Sequence, residues 1–448
     1  MKTRTALGLF LLALTGAWAI DALVLQPAAT AAWPWVLRQQ ALYLTGVWSI
    51  GLMSLIMLLA LRPAWLEGPL GGMDKIYRLH KWAGILAIGA GAAHWLVKLA
   101  STPLKALVGV EGRPARDAVL AMLADSRGLA KDLGEWTIYA LLAMLVITLW
   151  RRFPYHAWRI VHRAMPLAYL ILVFHTLALA PAYYWTGPTG ALLLPLMAGG
   201  AWAALLSLAG RIGRARRVAG RVTALTQRPG DILEVTCELG ARWPGHAAGQ
   251  FAFVTFDRRE GAHPFTIASA PHRGRRDVTF QIKALGDYTQ RLAATLREGA
   301  PVMVEGPYGR FERPAAGPQV WVAGGIGVTP FLAWLEAARD ASGHTPPVWL
   351  HYCVRDGATD PFVDVLRQRC AALDNVTLQV HSAAAGQRLD AAALAQGEVA
   401  AGRVADVWYC GPAGLANALR KACGAWGAAT STGIRKPSTC ASPRRPVV

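Results

Sequence analysis

Residues 77–100, YRLHKWAGILAIGAGAAHWLVKLA, and residues 158–177, WRIVHRAMPLAYLILVFHTL, each carry two histidines in an apolar run. His80 and His94 lie in the first, His162 and His175 in the second. A ligating or ionisable side chain at membrane depth is costly and marks function more often than packing. Two pairs at two heights on two helices suit a pair of stacked b-type haems, each iron taking one imidazole from each helix. A rise of about 1.5 Å per residue sets ligands on one helix roughly 20 Å apart, much of the depth of a hydrocarbon core of about 30 Å. A single histidine of this kind would be read as a packing residue. Four in two pairs describe a wire across a membrane.

The spacing of 14 between His80 and His94 leaves them about 40° apart around a helix, whereas the spacing of 13 between His162 and His175 leaves roughly 140°. Pro166 offers a repair. It lacks the amide that would bond the carbonyl of His162, so a break or kink is expected at the first ligand. Helices three and five run in one direction, so matching by depth pairs His80 with His162 (inner) and His94 with His175 (outer). Arg78, Lys81, Arg159 and Arg163 stand near the inner ends. They suit haem propionates, and equally an anchoring role at the membrane surface. His156 falls in a short basic connection and is read as a non-ligand.

Working outward, 54% of the 448 residues are hydrophobic and the mean hydropathy is +0.30, high for a soluble protein. The excess lies before residue 211, in six expected spans at 5–25, 38–61, 80–100, 135–150, 159–181 and 188–210. The first follows Lys2 and Arg4 and has a signal peptide as its alternative. It runs through Ile20 to Leu25 without a cleavage site, which favours a retained helix. The net charge of +19 does not point to nucleic acid, because the basic residues cluster at alternate helix ends. Lys2 and Arg4, then Arg62, Lys75 and Arg78, then Arg151, Arg152 and Arg159, then Arg211, Arg214, Arg216 and Arg217 fall on one side. That side is cytoplasmic by the positive-inside rule. The expectation is a multi-pass protein of the cytoplasmic membrane with both termini inside and lipid around it. The six cysteines (237, 353, 370, 410, 423 and 440) all follow the spans and lack C-x-x-C or iron–sulfur spacing. They fit reduced thiols in a cytosolic half.

After Arg217 the period changes. GRVTALTQ, ILEVTCEL, GQFAFVTF, RDVTFQIKAL and APVMVEGPYG are short β-branched runs divided by Gly, Pro and charge, the pattern of a small antiparallel barrel. From about 318 the chain alternates strand, glycine turn and helix, QVWVAGGIGVTPFLAWLEAA, with further strands expected at 347–354 and 404–410. This is the pattern of a parallel α/β domain. The domains expected are thus 1–211, 216–313 and 318–425, followed by a tail at 426–448.

The two histidine-bearing segments resemble the haem-bearing core of the ferric reductase and NADPH oxidase superfamily, in which bis-histidine haems sit between the third and fifth of six helices. The spacing of 14 then 13 is a feature of that family. HPFTIASAP (His263–Pro271) resembles its flavin motif, which implies roles near FAD for His263, Pro264, Phe265, Thr266 and Ser269. The plain alternative is an edge strand with a buried Phe265. IKALGDYT resembles the family's pyrophosphate segment, with Ile282 and Lys283 on a strand and Gly286 and Thr289 opening a helix toward phosphate. EGPYGRF (Glu305–Phe311) resembles the end of the flavin domain. GGIGVTPF resembles the nicotinamide-binding turn of ferredoxin reductase-like domains, through Gly324, Gly325, Gly327, Thr329 and Pro330. Cys410, Gly411 and Pro412 resemble the second motif beside the nicotinamide. Arg355 suits a 2′-phosphate or a solvated strand end.

The resemblance, over about residues 40–425, implies a multidomain oxidoreductase: a six-helix haem bundle, an antiparallel FAD barrel and a parallel NAD(P)-binding domain. Its cofactors would be FAD, two b-type haems and NAD(P)H. Its partner would be an extracytoplasmic electron acceptor, with ferric chelates ahead of dioxygen, a quinone or a periplasmic protein. The tail departs from the family, since AATSTGIRKPSTCASPRRPVV has neither an aromatic nor an acidic residue. A haem-free transporter or sensor is the reading from a different class. It would leave the flavin and nicotinamide motifs without a role.

Overall fold

An apolar helix must run about 20 residues to satisfy its backbone across hydrocarbon. Among the described residues six helical stretches meet that length and composition: Thr3–Leu25, Trp33–Ala60, Met73–Val108, Ala121–Leu149, Ala157–Leu179 and Pro188–Leu208. The computed structural model describes residues 3–26, 31–150, 152–272, 274–312, 317–339, 346–394 and 406–424. Lys2, Arg151, the side chain of His156 and the tail at 426–448 lie outside them. Spans two, three and four start earlier than the apolar runs suggest, at Trp33, Met73 and Arg127. Spans three and four open with charge (Asp74 and Lys75; Arg127), which hydropathy alone does not count as helix, and span two opens on WPWV ahead of the polar Arg38, Gln39 and Gln40. The expected 101–134 loop is accordingly shorter, holding a helix at Ser101–Val108 and a tight turn at Ala121–Ser126.

Span two is the hub of the bundle, touching spans one, three, five and six, while span four packs on three and five. Large apolar side chains such as Leu12, Trp136 and Trp202 face outward and exposed, as a lipid-facing surface requires. Inside, the fully buried Tyr169 of span five shares a hydrogen bond of 2.8 Å with Ser54 of span two. Its hydroxyl fills the space left by Gly200 of span six. Buried Asp21 accepts the Thr189 amide at 2.7 Å, which places a carboxylate at the amino end of the span-six helix, where the backbone donors are otherwise unpaired.

The molecule divides into two compact units between Gly213 and Arg214. The second opens with six antiparallel strands, β1 (Arg217–Arg228), β2 (Ile232–Leu239), β3 (Phe251–Thr255), β4 (His263–Thr266), β5 (Asp277–Lys283) and β6 (Pro301–Tyr308). Their order is β4-β3-β6-β1-β2-β5. The sheet curls until its edges meet: Ile267 bridges Phe280, and the Ala268 amide donates to Thr279 at 2.7 Å. Its interior is the alternate set of β-branched and aromatic residues, with Val235, Val254, Phe280 and Val304 fully buried.

Four parallel strands follow, β7 (Gln319–Gly324), β8 (Val348–Val354), β9 (Val376–Ser382) and β10 (Asp406–Cys410), in the order β10-β7-β8-β9. β9, VTLQVHS, alternates as a half-buried strand should, yet it is absent from the strands expected above. Barrel and parallel sheet share one core. Phe311, at the end of the barrel, stacks on Trp334 at 4.7 Å, and the Trp334 indole donates to the Ala248 carbonyl at 2.9 Å.

His351 of β8 and His381 of β9 pair side by side, Nδ1 to Nε2 at 3.0 Å. Burial, and then the neighbouring His381, push His351 down to about 4, and burial also lowers His381. The unfolded chain therefore binds more protons than the folded one below the ordinary histidine value of 6.5. This pair's contribution is complete above that value and is lost as pH falls toward 4. Thermal melting of the full chain in detergent should fall between about pH 7.5 and about pH 5, and His351→Gln should reduce the drop. An undiminished drop in the variant would contradict this assignment.

Candidate functional site

Spans three and five bring the four histidines together in two pairs. The rings of His80 and His162 are 6.3 Å apart between centroids and inclined at 24°; those of His94 and His175 are also 6.3 Å apart but inclined at 77°. Metal–imidazole bonds of about 2 Å on each face, plus about 1 Å from nitrogen to ring centre, separate two axial rings by about 6 Å. The pairs therefore have room for one iron each. The break needed on span five is present: helix Tyr155–His162 stops, Arg163 and Ala164 form a turn, and Met165 begins the next helix with Pro166 in its first turn.

Each ring also needs its second nitrogen occupied, because that fixes the tautomer and points the other nitrogen at the metal. Nδ1 of His80 faces the Ile56 carbonyl at 3.1 Å, Nδ1 of His94 the Leu42 carbonyl at 2.9 Å, and Nδ1 of His175 the Ala130 carbonyl at 2.7 Å. Trp158 meets the His162 ring edge-on at 4.8 Å. These residues fit a bis-histidine haem at each level. Among the described residues no group of three or more His, Cys, Asp or Glu could hold a metal ion, and the 101–134 stretch is no exception. There Asp117 instead accepts hydrogen bonds from Tyr43 at 2.5 Å and Gln39 at 2.8 Å.

In the barrel, the HPFT segment is an edge strand, where Pro264 costs no ladder bond. Pro264 is exposed, and Phe265 and Thr266 are half-buried. His263 stacks on Tyr288 at 4.5 Å and 21°, a partner the sequence reading missed. Ser269 is already engaged: its hydroxyl accepts the Thr279 amide at 3.1 Å and its carbonyl accepts from His246 at 3.0 Å. Ile282 is buried in the barrel core, so only its backbone can meet a ligand, while Lys283 is half-buried at the end of β5. Gly286 precedes helix Asp287–Thr295. The Thr289 hydroxyl accepts the amides of Leu285 and Gly286 at 3.0 and 3.1 Å, so the donors left for an anion are those of the helix's own first turn.

In the α/β domain, the two expected nicotinamide motifs meet. Cys410 lies beside Ala323 in parallel register, so the turn after β7 and the turn after β10 touch backbone to backbone. A methyl on Gly324 would come within 2.5 Å of Pro412, and one on Gly327 would overlap the Cys410 carbonyl. Gly325 holds φ +53, the left-handed region that glycine adopts most readily. Thr329 and Pro330 are buried at the start of helix Thr329–Arg339. Cys410 is fully buried, while Arg355, just past β8, is exposed. With β10 on one side of β7 and β8 on the other, this edge is the switch point where open parallel sheets bind ligands.

Residues 45–173 match the ferric reductase like transmembrane component family, and residues 217–312 match an FAD-binding domain family. In these two segments the chain is similar to the ferric reductase and NADPH oxidase superfamily. It is a multi-pass membrane protein with an FAD-binding domain. Among its relatives, ferric reduction oxidase 7 of Arabidopsis thaliana is 31% identical over 33% of this chain and 22% of its own. NADPH oxidase 1 of Mus musculus is 32% identical over 26% of this chain and 20% of its own. The ferredoxin–NAD(P)(+) reductase component of a Ralstonia naphthalene 1,2-dioxygenase/salicylate 5-hydroxylase system is 33% identical over 32% of this chain and 43% of its own. The chain spans about half the length of the first curated relatives it matches.

The packing at the β7 edge predicts graded effects. Gly327→Ala must displace the 410–411 backbone, and should weaken NADP⁺ binding at least about tenfold, or about 1.4 kcal/mol. Gly325→Ala has open space beside it and should cost only left-handed strain of about 1 kcal/mol. Calorimetric titration with NADP⁺ checks both. Equal affinities in wild type and Gly327→Ala would remove this edge from the binding site.

Proposed function

We propose that this protein is an oxidoreductase that carries electrons from cytosolic NAD(P)H, through FAD and two b-type haems, to an extracytoplasmic acceptor, with ferric chelates as the substrate class. The observation that carries the reading is the facing of two histidine pairs, each 6.3 Å apart, with three of the four rings tied to backbone carbonyls. When bound, the nicotinamide, flavin and haems supply hydride chemistry and one-electron carriage.

The residues of the chain position these groups. His80 and His162 would hold the inner haem, and His94 and His175 the outer. His263, Pro264, Phe265 and Thr266 line the flavin, and Lys283 and the first turn of helix Asp287–Thr295 offset diphosphate charge. Gly324, Gly325 and Gly327 let the β7 turn approach the dinucleotide, with Cys410, Gly411 and Pro412 bordering the nicotinamide. Arg355 favours the 2′-phosphate of NADPH. No side-chain acid or base is required for electron steps. Arg62, Lys75, Arg78, Arg152, Arg159 and Arg211 set both termini on the cytoplasmic side of the cytoplasmic membrane.

The test is an anaerobic reduced-minus-oxidised spectrum of the purified protein with FAD and NADPH, followed by addition of ferric chelate or air. A bis-histidine b-type spectrum that ferric chelate quenches much faster than air supports the reading. Fast, superoxide-yielding quenching by air would assign an oxidase instead. His94→Ala should lose one of two haems and abolish chelate reduction while NADPH still reduces the flavin. A His94→Ala protein with both haems and full activity would overturn the ligand assignment.

A further inference from the structure

The two histidine pairs are equally spaced but differently turned. The inner rings are inclined at 24° and the outer rings at 77°. The cause lies on helices that bear no ligand. The His94 ring reaches the Leu42 carbonyl of span two, and the His175 ring reaches the Ala130 carbonyl of span four. In an α-helix the side chain at i+4 slopes back over the carbonyl of residue i. A ring can approach that carbonyl closely only if residue i+4 is very small.

Both outer contacts meet the condition. The residue four after Leu42 is Gly46, where an added methyl would come within 3.2 Å of the His94 Nδ1. The residue four after Ala130 is Gly134, where an added methyl would overlap the His175 Nδ1. The inner His80 contact differs: the residue four after Ile56 is Ala60, and that bond is longer, at 3.1 Å. The two outer rings are thus seated in matching cradles on opposite neighbours, and each seat fixes rotation as well as position.

We propose that Gly46 and Gly134 are positioning residues that hold the outer axial histidines crossed, making the outer haem electronically unlike the inner one. The inference rests on the bis-histidine reading above. Axial imidazoles in parallel planes lift the near-degeneracy of the iron π orbitals, whereas crossed planes preserve it. The two ferric low-spin centres should therefore differ in magnetic anisotropy even with identical ligands.

Low-temperature electron paramagnetic resonance on the oxidised full-length protein in detergent reads this directly. The expected wild-type spectrum has two low-spin signals of equal weight, one ordinary rhombic and one strongly anisotropic. Gly46→Ala, whose clash a small ring shift relieves, should move the anisotropic signal while both haems stay bound. Gly134→Ala should move it further or remove it, with the rhombic signal intact. Gly16→Ala, on span one with nothing near it, should change neither. Two rhombic signals in the wild type, or an anisotropic signal untouched by both cradle substitutions, would overturn the proposal while leaving bis-histidine ligation standing. Protein that holds no low-spin iron by spectrum or by haem titration would sink the ligation reading, and the proposal with it.

Discussion

A histidine ring in hydrocarbon has two nitrogens to satisfy, and the contacts between spans two to five meet that need at three of the four rings. If one nitrogen is to bind a metal, the other must donate to something, and helix carbonyls are the acceptors at hand. A carbonyl already bonded within its own helix can accept a second donor, provided nothing covers it. On the proposed bis-histidine reading, the helices that lack histidines matter to the centres as much as those that have them. Span two supplies acceptors to both rings of span three, at Ile56 for His80 and at Leu42 for His94. Tyr169 and Ser54 then tie span five to the same hub.

The second unit solves a different problem with a similar economy of side chains. Dinucleotides need close backbone approach, and the proposed nicotinamide site offers it where the β7 and β10 turns pack closely through glycines. A single glycine-rich turn is common in α/β proteins and proves little. Here two such turns stand at the carboxyl ends of adjacent strands, where the strand order reverses. The shared aromatic core around Phe311 and Trp334 gives barrel and parallel sheet a common foundation, so the flavin and nicotinamide motifs are carried on one packed body.

Most of this was legible in the sequence. Apolar length announced the spans, histidine spacing their pairing by depth, and Pro166 the break that follows His162. Period-two runs announced the barrel, and the order of motifs announced the two nucleotide-binding folds. What escaped notice has physical reasons. Helix starts at Met73 and Arg127 are hidden because their first turns carry charge, and the start at Trp33 because Arg38, Gln39 and Gln40 interrupt its apolar run. β9 is a short, half-buried run of seven residues with no motif beside it to mark it as a strand. The carbonyls of Leu42, Ile56 and Ala130 leave no trace in a sequence, because every residue has one. Gly46 and Gly134 become meaningful only when a ring from another helix is found lying on them. Asp21, within the apolar run of span one, and Tyr288, against His263, acquire roles only from distant partners.

The central claim is that electrons cross the membrane by way of the two histidine levels. It is tested most directly in sealed liposomes holding the purified full-length protein, with NADPH supplied to one face and a membrane-impermeant ferric chelate confined to the other. The account predicts chelate reduction across the intact bilayer, lost in protein carrying His175→Ala although NADPH still reduces the flavin. Reduction of the trapped chelate by His175→Ala at the wild-type rate would contradict it.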